Sequence, residues 1–432
     1  MLISKKADIN KCNDKEASPL YIACQNGHTE VVQMLLNNKA DINRCRYTGS
    51  SPLLIACHQG HTGVAQMLIK HNADINKCRD NGSSPLFIAC VKGNTEVIRI
   101  LINNEADINK CINTGASPLF IACQKGHTKV VEMLINNKAD INESDNEEVS
   151  PLYIACQKGH YDVVKMLINN MAYINKCRDT GSSPLHIACR EGHTKVVQML
   201  INNNADVNKC RETGASPLHV ACRKGHTEVV KMLIHNEADI TKCDDEEVSP
   251  LYIACQKKHT EVVELLINNK ADVNKRRDTG ASPLYIACHQ GHTEVIQMLI
   301  NNNADINKCT DTGATSLYIA CHQGHNKVVQ MLINSMADIN KCNDLGVSPL
   351  YIVCQEGHTD VVKILINNKA DINKCMNTGQ TPLLIACFKS HEDIVELLLN
   401  HKADCNIKWR GLAPLDIAKR ENLSNIVHLL ER

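Results

Sequence analysis

The tripeptide Ser-Pro-Leu recurs along nearly the whole chain of 432 residues. Ser18, Ser51 and Ser84 begin the first three copies at a constant interval. Variants stand at Thr315-Ser316, Thr381-Pro382 and, one residue early, Ala413-Pro414, which makes 13 copies. A fixed period of about 33 residues is typical of one supersecondary unit that is repeated in a stacked array. The sequence therefore predicts a repeat protein rather than two or three globular domains.

The charge balance and hydropathy exclude several kinds of partner. Lys plus Arg number 47 and Asp plus Glu number 47, so the formal net charge is zero. Binding to nucleic acid or to an anionic membrane surface needs a basic excess, so we expect neither. No run approaches about 18 apolar residues, and the N-terminus lacks the apolar stretch of a secretory signal. We therefore expect no membrane insertion.

The 23 cysteines fall mainly in two registers of the repeat. Twelve end a short apolar run, such as Ile22-Ala23-Cys24, and ten recur as Cys12 and Cys45 do. Equivalent residues of packed helices lie roughly 8–10 Å apart, whereas a disulfide needs Cα atoms within about 7 Å. The odd count also argues against a disulfide framework. We expect reduced thiols and a cytoplasmic, or else nuclear, location.

Each repeat contains signals for two short helices. In the first repeat Ser18 is a suitable N-cap, and Pro19 fits the first helical position. Gly27 predicts the end of this helix. Thr29 is the expected cap of a second helix, whose apolar residues follow it. Residues 40–43 are expected to be extended and to lead into a hairpin. Such short helices are marginal alone, so they must pack on neighbouring units.

These motifs resemble a known family. The pattern Gly-x-Ser-Pro-Leu-(Tyr/His)-Ile-Ala-Cys-x-x-Gly-His-Thr-x-Val-Val-x-Met-Leu-Ile-x-x-x-Ala-Asp-Ile-Asn is similar to the ankyrin repeat, with its Thr-Pro-Leu-His and Gly-Ala-Asp-Val-Asn signatures. The resemblance covers about residues 1–432. It implies an all-α, curved, continuous solenoid of stacked helix-turn-helix units with β-hairpin loops. It also implies a scaffold that binds partner proteins on its concave face. We expect the protein to be a monomer.

The repeat boundaries follow from this register. A partial repeat, the end of a second helix plus a hairpin, is expected at 1–14. Twelve repeats are expected at 15–44, 48–77, 81–110, 114–143, 147–176, 180–209, 213–242, 246–275, 279–308, 312–341, 345–374 and 378–407. A C-terminal capping repeat is expected at 410–432.

Several glycines of the family pattern are replaced. Lys39, and the equivalent residue of each later repeat, stands where the family has glycine before Ala-Asp. Glu16, Glu148 and Glu247 replace the hairpin glycine in repeats 1, 5 and 8. Lys258 and Ser390 replace the glycine between helices. A left-handed residue other than glycine costs roughly 1–2 kcal/mol. Either these segments end differently, or stacking outweighs the strain.

No motif predicts catalysis or a cofactor. Cys24 and His28 are spaced as metal ligands on a helix can be, but Gly27 breaks the helix between them. A packed thiol and a turn-stabilising histidine are the favoured interpretation, and no metal or cofactor is expected. A residue repeated a dozen times makes a poor catalytic centre, because catalysis needs one distinct pocket. We therefore expect a protein that is not an enzyme.

An aromatic residue recurs at the place of the family's signature histidine. Its rings are either a row of partner contacts or, as we favour, wedges between successive first helices. The members of this aromatic row are Tyr21, Phe87, Phe120, Tyr153, Tyr252, Tyr285, Tyr318 and Tyr351.

The positions that vary in the family are the candidate partner-binding residues. The hairpin tips provide Arg46, Tyr47, Arg79, Asp80, Arg178, Asp179, Arg211, Glu212, Arg277 and Asp278. The first helices provide His58, Lys92, Lys125, Lys158, Arg190, Arg223, His289, His322 and Phe388. Arginines at the tips favour a partner that carries carboxylates or phosphates. Acidic tips in repeats 5 and 8 alternate with them, a pattern that can set the register of a long partner.

Two other functions remain open. The chain opens in the middle of a repeat, which favours the repeat region of a larger signalling, ubiquitin-ligase or effector protein whose active domain precedes Met1. The many thiols also allow a metal-binding or redox array.

Overall fold

The computed structural model describes residues 8–432, and in these residues 26 helices follow one another in pairs. The first helices of the pairs are α1 (Pro19–Asn26), α3 (Pro52–Gln59), α5 (Pro85–Lys92), α7 (Pro118–Lys125), α9 (Pro151–Lys158), α11 (Pro184–Glu191), α13 (Pro217–Lys224), α15 (Pro250–Lys257), α17 (Pro283–Gln290), α19 (Ser316–His322), α21 (Pro349–Glu356), α23 (Pro382–Phe388) and α25 (Pro414–Arg420). The second helices are α2 (Thr29–Asn37), α4 (Thr62–Lys70), α6 (Thr95–Asn103), α8 (Thr128–Asn136), α10 (Tyr161–Asn169), α12 (Thr194–Asn202), α14 (Thr227–His235), α16 (Thr260–Asn268), α18 (Thr293–Asn301), α20 (Asn326–Asn334), α22 (Thr359–Asn367), α24 (Glu392–Asn400) and α26 (Ser424–Leu430).

The contacts divide the chain into two compact units, Met1–Glu212 and Thr213–Arg432. Within each unit a first helix packs on the second helix of its own pair and on the first helix of the next pair. Within each unit the second helices also contact one another in order. The predicted all-α repeat architecture is thus confirmed. The end of a second helix that is expected in the partial repeat falls on residues 1–7, which lie outside the described residues.

The ends of the helices follow the predicted signals, with one exception. Ser18 Oγ accepts a hydrogen bond from the Tyr21 amide at 3.1 Å, and Gly27 is left-handed with φ 73°. The prediction that Thr29 caps the second helix is wrong, because the helix already begins at Thr29 and His28 occupies the cap position. The Thr29 hydroxyl instead donates to the Gly27 carbonyl at 3.4 Å.

The hairpin loops are tight turns. The Arg46 amide donates to the Ser50 carbonyl at 3.0 Å, and the Gly49 amide donates to the Arg46 carbonyl at 2.8 Å. In residues 8–432 the β-type pairing consists of isolated bridges, Cys309–Thr315 and Trp409–Leu412.

The replaced glycines keep the left-handed conformation. Lys39 has φ 63° and Glu148 has φ 58°, and Lys258 and Ser390 both have φ 60°. The helix also ends as it would with glycine, since the Ala40 amide donates to the Leu35 carbonyl at 3.0 Å. Of the two expectations, the structure therefore supports the second, in which the left-handed backbone is kept and the stacking of repeats outweighs its strain.

The core consists of small and aliphatic side chains from both helices of each pair. Leu86, Ala89, Cys90 and Leu101 are fully buried. All 23 cysteines are free thiols, and those of the first helices are buried. Burial raises the pKa of Cys24 to about 12.

Within each unit, histidines join a repeat to the one before it. His61 Nε2 lies 3.1 Å from the Gln25 carbonyl in the preceding repeat, and His160 Nε2 lies 3.2 Å from the Gln124 carbonyl. Since a carbonyl only accepts, the ring nitrogen is the donor. The predicted turn-stabilising histidine thus binds the neighbouring repeat.

A second set of bonds comes from the Asn of the Asp-Ile-Asn motif. Asn43 Oδ1 accepts from the Asp74 amide of the next repeat at 2.9 Å. Asn274 Oδ1 does the same for the Asp305 amide at 2.7 Å. Thr241 stands at the equivalent position of repeat 7, where its hydroxyl bonds Asp239 Oδ1 at 2.7 Å.

Candidate functional site

A cavity of about 390 Å³ lies in the first unit, between the first helices and the hairpin tips of repeats 3 to 6. Its floor includes Phe120, Ile121 and Gln124 of the α7 segment, and its rim includes Ile112 and Glu147 of the hairpins. The remaining lining residues are Phe87, Thr114, Ala116, Asp145, Val149, Tyr153, Ile154, Gln157 and Arg178. We call the surface formed by these first helices and hairpins the inner groove.

Most rings of the aromatic row are structural. Tyr153 is 3% exposed and Phe120 is 6% exposed. The other buried members are Tyr21, Phe87, Tyr252 and Tyr351. Tyr285 and Tyr318 are half-buried. The favoured interpretation, rings packed inside the stack, is therefore confirmed for six of the eight. Three of these buried rings, Phe87, Phe120 and Tyr153, also form part of the cavity wall.

The acidic hairpin of repeat 5 is held in a fixed conformation. Asp145 Oδ1 accepts from the Glu147 amide at 3.0 Å and from the Val149 amide at 2.9 Å. Glu148 takes the left-handed position. The Glu147 side chain is 68% exposed. The loop therefore presents carboxylates at the rim of the groove without needing a ligand to order it.

An arginine of the next repeat binds this acidic hairpin. Arg178 Nη2 lies 2.8 Å from Glu147 Oε2, and its Nε lies 2.9 Å from Asp179 Oδ1. The second unit repeats the arrangement, with Arg277 paired to Glu246 and Asp278 at the same distances. The sequence predicts that both arginines face a partner, and the structure pairs both with carboxylates of the chain itself.

A basic cluster occupies repeats 2 and 3. The Arg46 guanidinium lies 4.8 Å from the centre of the Tyr47 ring. Arg46 Nε and His58 Nδ1 are buried and have no hydrogen-bond partner among the described residues. Burial lowers the pKa of His58, and the nearby charges of Lys92 and Arg79 lower it further. Arg46, His58, Arg79 and Lys92 are the basic cluster.

The tip residues also hold neighbouring repeats together through their backbone. The Asp80 amide donates to the Thr48 carbonyl at 3.4 Å, and the Glu212 amide donates to the Thr180 carbonyl at 3.4 Å. Asp80 also packs so closely on Gly49 that a Cβ atom on the glycine would collide with its carboxylate. Part of the predicted tip surface is thus structural.

The other candidate residues differ in exposure. Lys92, Lys125, Lys158 and Arg223 are exposed, and Phe388 is 47% exposed. The half-buried candidates on the first helices and hairpins are His58, Arg190, Arg211, His289 and His322. Arg190 pairs with Glu191 at 2.9 Å. Three first-helix candidates also accept a hydrogen bond, through their backbone carbonyl, from a histidine of the next repeat. The pairs are Arg223 with His259, His289 with His325, and His322 with His358.

The candidates from the sequence do not include the uncharged part of the groove. Ile112 occupies the position of Arg79 one repeat later, in the register of the predicted tip residues. Gln124 and Gln157 occupy the position of His58 two and three repeats later. All three line the cavity. The repeat register is the signal that identifies them, since each occupies the register of a predicted partner-binding residue.

The described residues 8–432 contain no group of three or more His, Cys, Asp or Glu placed to hold a metal ion. In the same residues no helix is both long and apolar enough to cross a membrane.

Comparison with known proteins identifies the same repeat along the chain. The family described as ankyrin repeats, in three copies, matches segments 1–79, 73–145, 138–210, 203–277, 251–343, 317–409 and 350–431. The 576 matching chains of solved structure include the crystal structure of the human ASB11 ankyrin repeat domain. That domain is 28% identical with a TM-score of 0.47, over 51% of this chain and 99% of its own. No curated protein matches the chain.

Proposed function

The chain belongs to the ankyrin-repeat family, whose members generally mediate protein–protein interaction, and we propose that it is a non-enzymatic scaffold that binds a partner protein along the inner groove. The cavity of about 390 Å³ between the first helices and the hairpins carries this proposal. It is a concave surface in which apolar side chains such as Ile112 and Ile121 lie beside polar ones such as Gln124 and Glu147, and a concave surface of this mixed character can bind a protein segment.

Differences among the repeats support the same surface. The core positions hardly change from repeat to repeat, as Cys90 and Cys123 illustrate. The first hairpin position changes completely, from Arg79 to Ile112 to Asp145. Since packing is satisfied by the constant residues, the changing ones are available for recognition.

The polar groups of the groove serve recognition rather than catalysis. Asp145 accepts two backbone amides, and Arg178 is paired with Glu147. Groups held in this way form a fixed charged surface. The interior of free thiols fits a reducing compartment, so we place the protein in the cytoplasm or the nucleus.

An affinity-capture experiment with matched variants tests the proposal. Ile121 is half-buried on the floor of the cavity, and Ile168 is half-buried on the second helix α10. Wild type, I121R and I168R are used as bait in lysate of the source cells, and captured proteins are identified by mass spectrometry. The thermal unfolding of each variant is measured first.

We expect at least one partner that wild type and I168R capture and that I121R loses. The purified partner should then bind I121R at least about tenfold more weakly than I168R in calorimetry, because an arginine would fill the cavity. Equal capture by a folded I121R would show that the inner groove is not the binding site.

A further inference from the structure

Building on the proposed function, we infer that the inner groove of the first unit binds an extended peptide segment with charges in a fixed order. The segment carries acidic residues opposite repeats 2 and 3, apolar residues opposite repeat 4 and a basic residue opposite repeat 5. The charge of the hairpin tips changes in the complementary order, from Arg46 and Arg79 through Ile112 to Asp145. Lys92, Lys125 and Lys158 recur at one position of the first helices, so they do not set this order.

The basic cluster is the first element of this order. Arg46 and Arg79 stand at the register of Ile112, two repeats and one repeat before it, and His58 stands at the register of Gln124. Both Ile112 and Gln124 line the cavity, so the repeat register places the cluster along the same groove. Arg46 Nε and His58 Nδ1 are buried without partners among the described residues. A carboxylate of the segment would pair with the guanidinium groups of Arg46 and Arg79.

The apolar middle comes next. Ile112, Phe120 and Ile121 line the cavity, whose volume of about 390 Å³ accommodates one or two side chains of a partner. None of these three residues carries charge. An apolar side chain of the segment would be desolvated here, which favours binding in proportion to the apolar area that is removed from water.

The acidic hairpin ends the order. Asp145 and Glu147 stand at the rim of the cavity. The bond from Arg178 to Glu147 leaves the glutamate side chain 68% exposed. Exposed ion pairs of this kind are weak, so a basic residue of the segment can share the Glu147 carboxylate.

The distance between the basic cluster and the acidic hairpin favours an extended peptide. Repeats 2 to 5 are three steps apart, and each step between packed helices is roughly 8–10 Å. A segment that reaches from the basic cluster to the acidic hairpin must therefore span roughly 24–30 Å. At about 3.3 Å per residue, about seven to nine extended residues cover this distance.

Peptide selection with charge-reversed variants tests the inference. A phage-displayed library of random linear dodecapeptides is selected on the full chain, on R46E/R79E and on E147K. The variant K165E/K195E is the matched control, because Lys165 and Lys195 are exposed on the second helices α10 and α12. Thermal unfolding confirms that each variant is folded.

Wild type and K165E/K195E should select peptides in which an acidic and a basic position flank apolar residues. R46E/R79E should lose the acidic preference, and E147K should lose the basic one. A synthetic peptide of the wild-type consensus should bind each groove variant at least about tenfold more weakly, because a hydrogen-bonded charge contact is lost.

Two results would overturn the inference. If all four proteins select the same consensus, the charges of the groove do not determine which peptide binds. That result would contradict the charge order but not the proposal that the groove binds a protein. The absence of any enriched peptide would show that the groove does not take a linear segment. The capture experiment with I121R then decides separately whether a folded partner surface binds there.

Discussion

The imidazole of His160 lies against Gly126 of the preceding repeat, so that a Cβ atom on Gly126 would be 2.6 Å from His160 Cε1. The glycine is left-handed, with φ 72°. The same ring bonds the Gln124 carbonyl at 3.2 Å. Gly126 therefore meets two requirements at once, a backbone conformation and the space for a ring from the next repeat.

Replacing Gly126 with alanine should destabilise the protein. The left-handed backbone alone costs about 1–2 kcal/mol with alanine, and the contact with His160 adds to this. Urea unfolding of G126A measures the change. Gly63 is the matched control, because it lies in helix α4 with no atom within 4 Å of a built Cβ. G63A should be neutral or stabilising by up to about 1 kcal/mol, and an equal loss in both variants would contradict the role of His160.

Replacing Ser316 with proline should stabilise the second unit. Ser316 occupies the first position of α19, where most other repeats have proline, and it is fully buried. Its Oγ has no hydrogen-bond partner among the described residues within normal geometry, and the Cys288 thiol beside it is a weak partner at most. An unsatisfied buried hydroxyl costs about 1–3 kcal/mol. S316P should raise the melting temperature most and S316A less, since alanine removes the hydroxyl without fixing the backbone. A lower melting temperature for both would refute this explanation.

Replacing Thr241 with asparagine should restore a missing bond between repeats 7 and 8. A cavity of about 290 Å³ lined by Thr241, Asp272 and Lys275 lies at this position. An asparagine side chain here would accept from the Asp272 amide, as Asn274 does from the Asp305 amide at 2.7 Å. We expect T241N to gain about 0.5–1.5 kcal/mol in the free energy of unfolding. The reverse change N274T should lose a similar amount, and the idea fails if both variants shift in the same direction.

Acid should destabilise the protein through His219. Burial lowers the pKa of this histidine below its usual 6.5, against the opposing effect of the bond to the Val248 carbonyl. Its Nδ1 accepts from the Ser216 amide at 3.2 Å, and its Nε2 donates to Val248 at 3.1 Å, so the folded protein holds the neutral ring. The unfolded chain therefore binds the proton more readily. The stabilisation is present above the unfolded pKa of about 6.5 and is lost as the pH falls through the folded-state pKa.

The variant H219Y isolates this effect, since Tyr252 occupies the equivalent place and is buried. Urea unfolding at about pH 7.5 and about pH 5.5 should show a smaller loss of stability in H219Y than in wild type. An identical loss in both proteins would mean that His219 does not contribute.

The thiols should react in the order of their exposure. Cys375 is exposed, whereas Cys90 is fully buried and burial raises its pKa strongly. Cys111 of a hairpin lies between them, with a pKa raised to about 11, first by burial and then by Glu143. Because only the thiolate reacts, iodoacetamide should modify Cys375 first and Cys90 only on unfolding. Mass spectrometry of tryptic peptides measures the order. Early modification of Cys90 would favour the redox-array alternative.

The repeat period predicts the fold because the same local signals recur from one end of the chain to the other. Ser18, Pro19 and Gly27 each act within their own helix, so their spacing is sufficient to place it. The division into two units and the contacts between repeats cannot be predicted from such local signals. His61 acts on Gln25 of the preceding repeat, and one repeat considered alone cannot show that contact.

The candidate groove is predictable only in part for the same reason. The sequence predicts Arg178 at a hairpin tip, but its bond to Glu147 spans two repeats. A tip arginine and a tip glutamate appear as separate surface charges until the stacking brings them to 2.8 Å. Ile112 carries no charge, and the repeat register together with the cavity identifies it as part of the site.

The bonds between repeats have a consequence for how such a chain changes length. Residues such as His160 and Asn43 reach only the adjacent repeat, with equivalent partner atoms each time. Deleting or duplicating one whole repeat within a unit would therefore bring together two surfaces that already fit. Unequal recombination can lengthen or shorten this gene product by whole repeats, while a single-residue insertion would disrupt every bond that crosses it.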